Sequence, residues 1–126
     1  VLNKEEILHY LINHTKYVAV PFQLAVRRDV AEYLIKEGYF DDDIAYKFSE
    51  KALETLNTFY EENKERVIQS LKRIESPFSY DHISKELSLS SEDGRAEYLL
   101  KRLAEDGTIS ISASSNWEDR IKVVIN

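Results

Sequence analysis

Residues 79–112 read "SYDHISKELSLSSEDGRAEYLLKRLAEDGTISIS", and the order of signals within them decides the fold. Ser79 stands where an N-cap belongs, ahead of a short helix over Tyr80 to Leu87 that buries Ile83 and Leu87 at i and i+4. "SLSS" supplies the turn. Ser90 and Asp93 stand three apart, a variant of the capping box in which aspartate replaces glutamate. A third helix then runs to about Asp106 and stops at Gly107, because glycine enters the left-handed C-cap conformation without a Cβ penalty. Ala96, Leu99, Leu100 and Leu103 fall at i, i+3, i+4 and i+7, an apolar stripe that faces the core. "TISIS" alternates strictly, with Ile109 and Ile111 inward, and "IKVVI" returns with Ile121, Val123 and Ile125 on one face. "ASSNWEDR" between them is a loop.

Upstream, "NKEEILHYLINH" is a helix with Asn3 as N-cap and acids in the first turn. "KYVAV" is a strand candidate. Pro21 suits the first turn of a helix running to about Glu37, closed by Gly38. "GYFDDDIAYKFSEKALETL" has two readings, a very long helix capped by Asp41 to Asp43 or a small hairpin followed by a helix capped at Ser49. The hairpin is preferred. The following helix spans about 50–74, long for a small domain, with a bend or pause near Asn63, and Pro77 ends that segment. Its Leu53, Leu56, Phe59 and Tyr60 are the candidate homodimer interface. The fold class is α+β and mostly helical. A helical region over 1–60 precedes a second unit over 61–126, with the long helix shared. No internal repeat at a fixed period and no low-complexity tract is visible.

Composition narrows the function. The 126 residues contain no cysteine, which excludes disulfides, thiolate metal sites and cysteine nucleophiles. Net charge is −6, so the basic balance of a dedicated nucleic-acid binder is missing, although one local face is not fixed by the total. No apolar run approaches a membrane span, and the opening "VLNKEEILHYL" is charged and amphipathic, so no secretion signal and no membrane are expected. A cytoplasmic, nucleoid or nuclear location follows as an expectation. The lack of methionine, even at position 1, implies a processed or trimmed form. "NHT" at Asn13 matches a glycosylation sequon and is read as chance.

The order of helix, helix, turn, helix and hairpin from Glu65 onward resembles the winged helix-turn-helix family. "RVIQSLKRI" matches its first helix, "SYDHISKEL" its second and "SLSS" its turn. "EDGRAEYLLKRLAEDG" matches its third helix, "TISIS" and "RIKVVI" its hairpin, and "SSNWED" its wing. "VAEYLIKEGYFDDDIAYKFSEKALETL" echoes the same family more faintly, which makes the first half winged-helix-like. The resemblance implies a non-enzymatic transcriptional regulator that binds double-stranded DNA through the third helix and wing. The residues expected at that interface are Ser91, Arg95, Tyr98, Lys101 and Arg102 on the helix, with Trp117, Arg120 and Lys122 on the wing. Arginine would read guanine with its planar fork and lysine would pair with phosphate.

The same stretch also resembles the winged-helix end of the scaffold domain in proteasome-lid and translation-initiation-factor subunits, where the module assembles with other proteins. The acidic balance suits that alternative, and a solvated helix face explains Glu92, Asp93, Glu97 and Glu105 on the third helix, which phosphates would repel, without DNA. Neither resemblance implies a cofactor. His9 and His14 are five apart, not the i and i+4 of a zinc pair, so no metal site is expected. His82 beside Asp81 has no nucleophile placed with it, and Asp41 to Asp43 lack the spacing of a calcium loop.

Overall fold

The computed structural model describes residues 2–18, 28–42, 47–89, 94–113 and 120–126. They form an α+β, mostly helical protein with two small antiparallel sheets. The chain divides into two compact units, Val1–Phe59 and Tyr60–Asn126. Among the described residues no helix is long and apolar enough to cross a membrane.

Unit 1 opens with α1, Lys4–Asn13. Asn3 Oδ1 accepts from the Glu6 amide at 2.8 Å while Glu6 reaches back to the Asn3 amide, a complete capping box. Ile7, Leu8, Leu11 and Ile12 point into the core. Asn13 of the sequon is buried and its side-chain amide donates to the His9 carbonyl, so it is not presented as an acceptor for a glycan. Lys16 and Tyr17 lie in a turn and Val18 in a bend, not in the strand expected for "KYVAV"; Ala19 and Val20 lie outside the described residues.

The second helix, α2, spans Arg28–Lys36 and buries Val30, Ala31 and Leu34. The start expected at Pro21 falls outside the described residues. Gly38 follows with φ +84°, and Phe40–Asp42 (β1) pairs with Lys47–Phe48 (β2). Of the two readings of this stretch, the hairpin forms. Phe40 stacks on Phe48 with ring centroids 5.8 Å apart. Ser49 caps the next helix, accepting from the Ala52 amide at 3.3 Å while its hydroxyl donates to the Gly38 carbonyl. Lys51 donates to the Glu37 carbonyl at 2.7 Å and lies over the Tyr39 ring, tying the end of α2 to that same helix.

The long helix, α3, spans Glu50–Arg73 and runs through Asn63 without a break. Asn63 is buried there, and its Oδ1 accepts from Arg66 Nη1 at 3.1 Å. With the side-chain oxygen satisfied in that way, asparagine no longer competes for the backbone. Residues 60–73 of α3 belong to unit 2, where Val67 and Leu71 enter the core.

Unit 2 continues with an element the sequence pattern does not show. Phe78–Ser79 (β3) pairs antiparallel with Arg120–Ile125 (β5), Phe78 opposite Ile121 and Ser79 opposite Arg120. Next come α4, Tyr80–Glu86, capped by Ser79 on the His82 amide, and α5, Arg95–Glu105. The Ser90 and Asp93 cap lies outside the described residues; the helix as described starts after Gly94, which makes no side-chain cap. Gly107, φ +80°, ends α5, and Ile109–Ala113 (β4) pairs with β5. The sheet order is β3-β5-β4. Phe78, Ile83, Leu87, Leu99, Leu100, Leu103, Ile109 and Ile121 close the core of this unit.

Candidate interaction surface

The third helix of unit 2, α5, is buried over a wider arc than its leucine stripe alone implies. Arg95, Ala96, Tyr98, Leu99, Leu100 and Leu103 are all buried. At 100° per residue this arc covers more than half the helix. The reason is that α5 is flanked on more than one side. It packs on α4 and β4, and its Arg102 lies against Tyr60 of α3.

Two expectations are corrected here. Tyr98, expected on the outward face, is 1% exposed, and Arg95, expected at its edge, is 8% exposed. Arg102 is half-buried and committed within the chain. Its guanidinium carbon lies 4.0 Å from the centre of the Tyr60 ring, and Nη1 donates to the Tyr98 hydroxyl at 3.2 Å. The Tyr60 hydroxyl in turn donates to Asp106 just past the end of α5. Tyr98, Arg102, Tyr60 and Asp106 thus form one network that pins the last turns of α5 to α3. Burial raises the Tyr60 hydroxyl above its ordinary pKa, and the hydrogen bond to Asp106 raises it further. Burial likewise raises Tyr98, against an opposing pull from Arg102.

Glu97, Lys101, Ala104 and Glu105 remain on the outer arc. Lys101 Nζ meets Glu97 at 3.1 Å across one helical turn, an i,i+4 pair with the lysine side chain 37% exposed. Beside it on α4, the half-buried Tyr80 hydroxyl is pushed up to about 12, by burial first and then by the Glu97 carboxylate. Asp81, His82, Lys85 and Glu86 of α4 are exposed. The outer side of these two helices is therefore mixed in sign and contains no basic strip among the described residues.

The C-terminal end of α4 is held from α3. Arg66 Nη2 donates to the Leu87 carbonyl at 2.8 Å, satisfying a carbonyl that the end of α4 leaves without a helical partner. Sequence reasoning did not single out Arg66; the cue available to it was an arginine three residues after Asn63.

On the hairpin, Arg120 and Lys122 are exposed on the outer face of the sheet. Ser110, Ser112 and Val124 share that face, with Ser112 opposite Lys122 and Ser110 opposite Val124. Ser91 and Trp117, the other two expected contacts, lie outside the described residues. The six of these eight that are described are thus not one surface: Lys101 on the helix and Arg120 and Lys122 on the hairpin are outward, while Arg95 and Tyr98 are buried and Arg102 is half-buried.

No family model, curated protein or solved structure matches the chain.

Of the four residues expected at a dimer interface, Leu56, Phe59 and Tyr60 are buried within the chain itself, and Leu53 alone is exposed, at 55%. No group of three His, Asp or Glu side chains among the described residues comes together to hold a metal ion.

Proposed function

We propose that residues 60–126 are a winged helix-turn-helix module whose role is non-catalytic: it docks a partner protein through the outer side of α4 and α5. Support for the module comes from element order, a helix, a short strand, two helices and a hairpin, with the first strand paired to the last in the order β3-β5-β4. The observation that carries the choice of partner is the inward turn of Arg95, Tyr98 and Arg102. It leaves outside only Lys101, paired with a largely covered Glu97, and the exposed Glu105, a face with no net attraction for phosphates.

A second reading rests on Arg120 and Lys122. They stand on the exposed face of β5, where a wing would meet a nucleic-acid backbone, and as a DNA contact they would supply phosphate positioning without base readout. Fluorescence anisotropy on a 30-base-pair duplex across a salt series separates the two readings. The protein-docking reading expects no measurable affinity even at low salt. Affinity that falls steeply with salt and disappears in Arg120→Ala/Lys122→Ala would replace it with the DNA reading. A photo-crosslinking amino acid at position 101, used in the cells that make the protein, gives the positive arm. It is expected to trap a polypeptide rather than nucleic acid.

A further inference from the structure

The two units carry the same signals in the same order. "NKEEILHYL" at 3–11 matches "NKERVIQSL" at 63–71, with Asn, Lys, Glu and the final Leu identical. "AEYLIK" at 31–36 matches "AEYLLK" at 96–101, differing only at Ile35 and Leu100. Burial follows the match at its apolar positions, while Asn3 caps α1 in the open and Asn63 is buried within α3. Ile7 and Val67, Leu11 and Leu71, Ala31 and Ala96, and Leu34 and Leu99 are buried in their respective units.

The ends of the matching helices agree atom by atom. Gly38 donates to the carbonyl of Ile35 at 3.1 Å, and Tyr39 to that of Leu34 at 2.8 Å. Gly107 donates to Ala104 at 3.0 Å, and Thr108 to Leu103 at 3.0 Å. Both are Schellman closures around a glycine of positive φ, +84° and +80°. Two residues after each glycine a buried apolar residue, Phe40 or Ile109, begins the first strand of a hairpin. A repeat of fixed period does not describe this. Lys64 follows Lys4 by 60 residues, Ala96 follows Ala31 by 65, and Gly107 follows Gly38 by 69. The last increase is one helical turn, "LAED" at 103–106, present in α5 and missing from α2.

We infer that the chain is two copies of one module in tandem, α2 being to unit 1 what α5 is to unit 2. Glu32 and Lys36 of α2, both exposed, take the places of Glu97 and Lys101. The copies have diverged where the added turn begins. Glu37 stands in the place of Arg102, and Tyr33 is half-buried where Tyr98 is buried.

Hydrogen exchange by mass spectrometry on the full chain tests the tandem. A Cβ at Gly38 would find only Lys51 Cδ, at 4.0 Å, and one at Gly107 would find nothing within 4 Å, so alanine at either adds backbone strain alone. Gly38→Ala is expected to speed exchange about fivefold across residues 4–42 and leave 95–113 unchanged, with Gly107→Ala the mirror image. Should either fail to fold, Gly38→Asn and Gly107→Asn give the same comparison at lower amplitude. Equal acceleration of both regions by either variant would overturn the tandem.

Discussion

Arg102 shows how a side chain that reads as a recognition residue becomes a structural one. Its guanidinium covers the Tyr60 ring and donates to Tyr98, so truncation removes a stacked cation and a half-buried hydrogen bond together. Arg102→Ala is expected to destabilise the protein by about 1–2 kcal/mol in urea unfolding. Arg102→Lys recovers only part, because an ammonium lacks the planar stack. Loss of partner binding in Arg102→Ala is therefore no proof of contact. Lys101→Ala, which removes an i,i+4 pair whose lysine is 37% and glutamate 15% exposed, is the cleaner probe and should change stability by about 1 kcal/mol or less.

The tyrosines of the same unit set its behaviour in alkali. An unfolded tyrosine ionises near pH 10, while folded Tyr80 is held up to about 12, and Tyr60 and Tyr98 are also raised. Above pH 10 the unfolded chain has lost protons that the folded chain still binds, so stability falls as pH rises. It is fully present below pH 10 and declines through the window from 10 to about 12 for Tyr80. Thermal melts followed by circular dichroism between pH 8 and 11.5 should show a flat region and then a decline. Tyr80→Phe should shallow that decline without moving its onset.

At the level of elements, what the sequence reveals is what local chemistry determines. Asn3, Ser49 and Ser79 were readable as caps because each bond is made to an amide three residues on. Asn3→Ala and Ser79→Ala should each cost about 1 kcal/mol, measured by urea midpoint. The hairpin after α5 was readable from the glycine and the alternation of "TISIS". By contrast β3 is two residues long and has no period to detect. It exists because Phe78 and Ser79 meet Ile121 and Arg120 more than forty residues away in sequence. The inward turn of Tyr98 was hidden for a related reason. A stripe of leucines marks the centre of a buried face, but its width depends on how many neighbours the helix acquires. The two matching halves were open to inspection in the residues alone and were obscured by the growing offset between them.

At the scale of the whole molecule, the long helix invited a dimer, but three of the four residues expected at its interface are buried within the chain itself. Leu56, Phe59 and Tyr60 already serve the cores of their own units, and of the expected helix contacts Leu53 alone is exposed, far short by itself of the roughly 800 Å² per partner that a stable interface buries. With a net charge of −6, copies also repel one another at low ionic strength. Sedimentation velocity at several hundred micromolar is expected to show one species of about 14.7 kDa, unchanged in Leu53→Asp. A dimer that Leu53→Asp dissociates would place the long helix at a self-interface after all. It would also require α3 to expose residues that now fill the two cores, and hydrogen exchange along residues 56–60 would then be faster in the monomer than in the dimer.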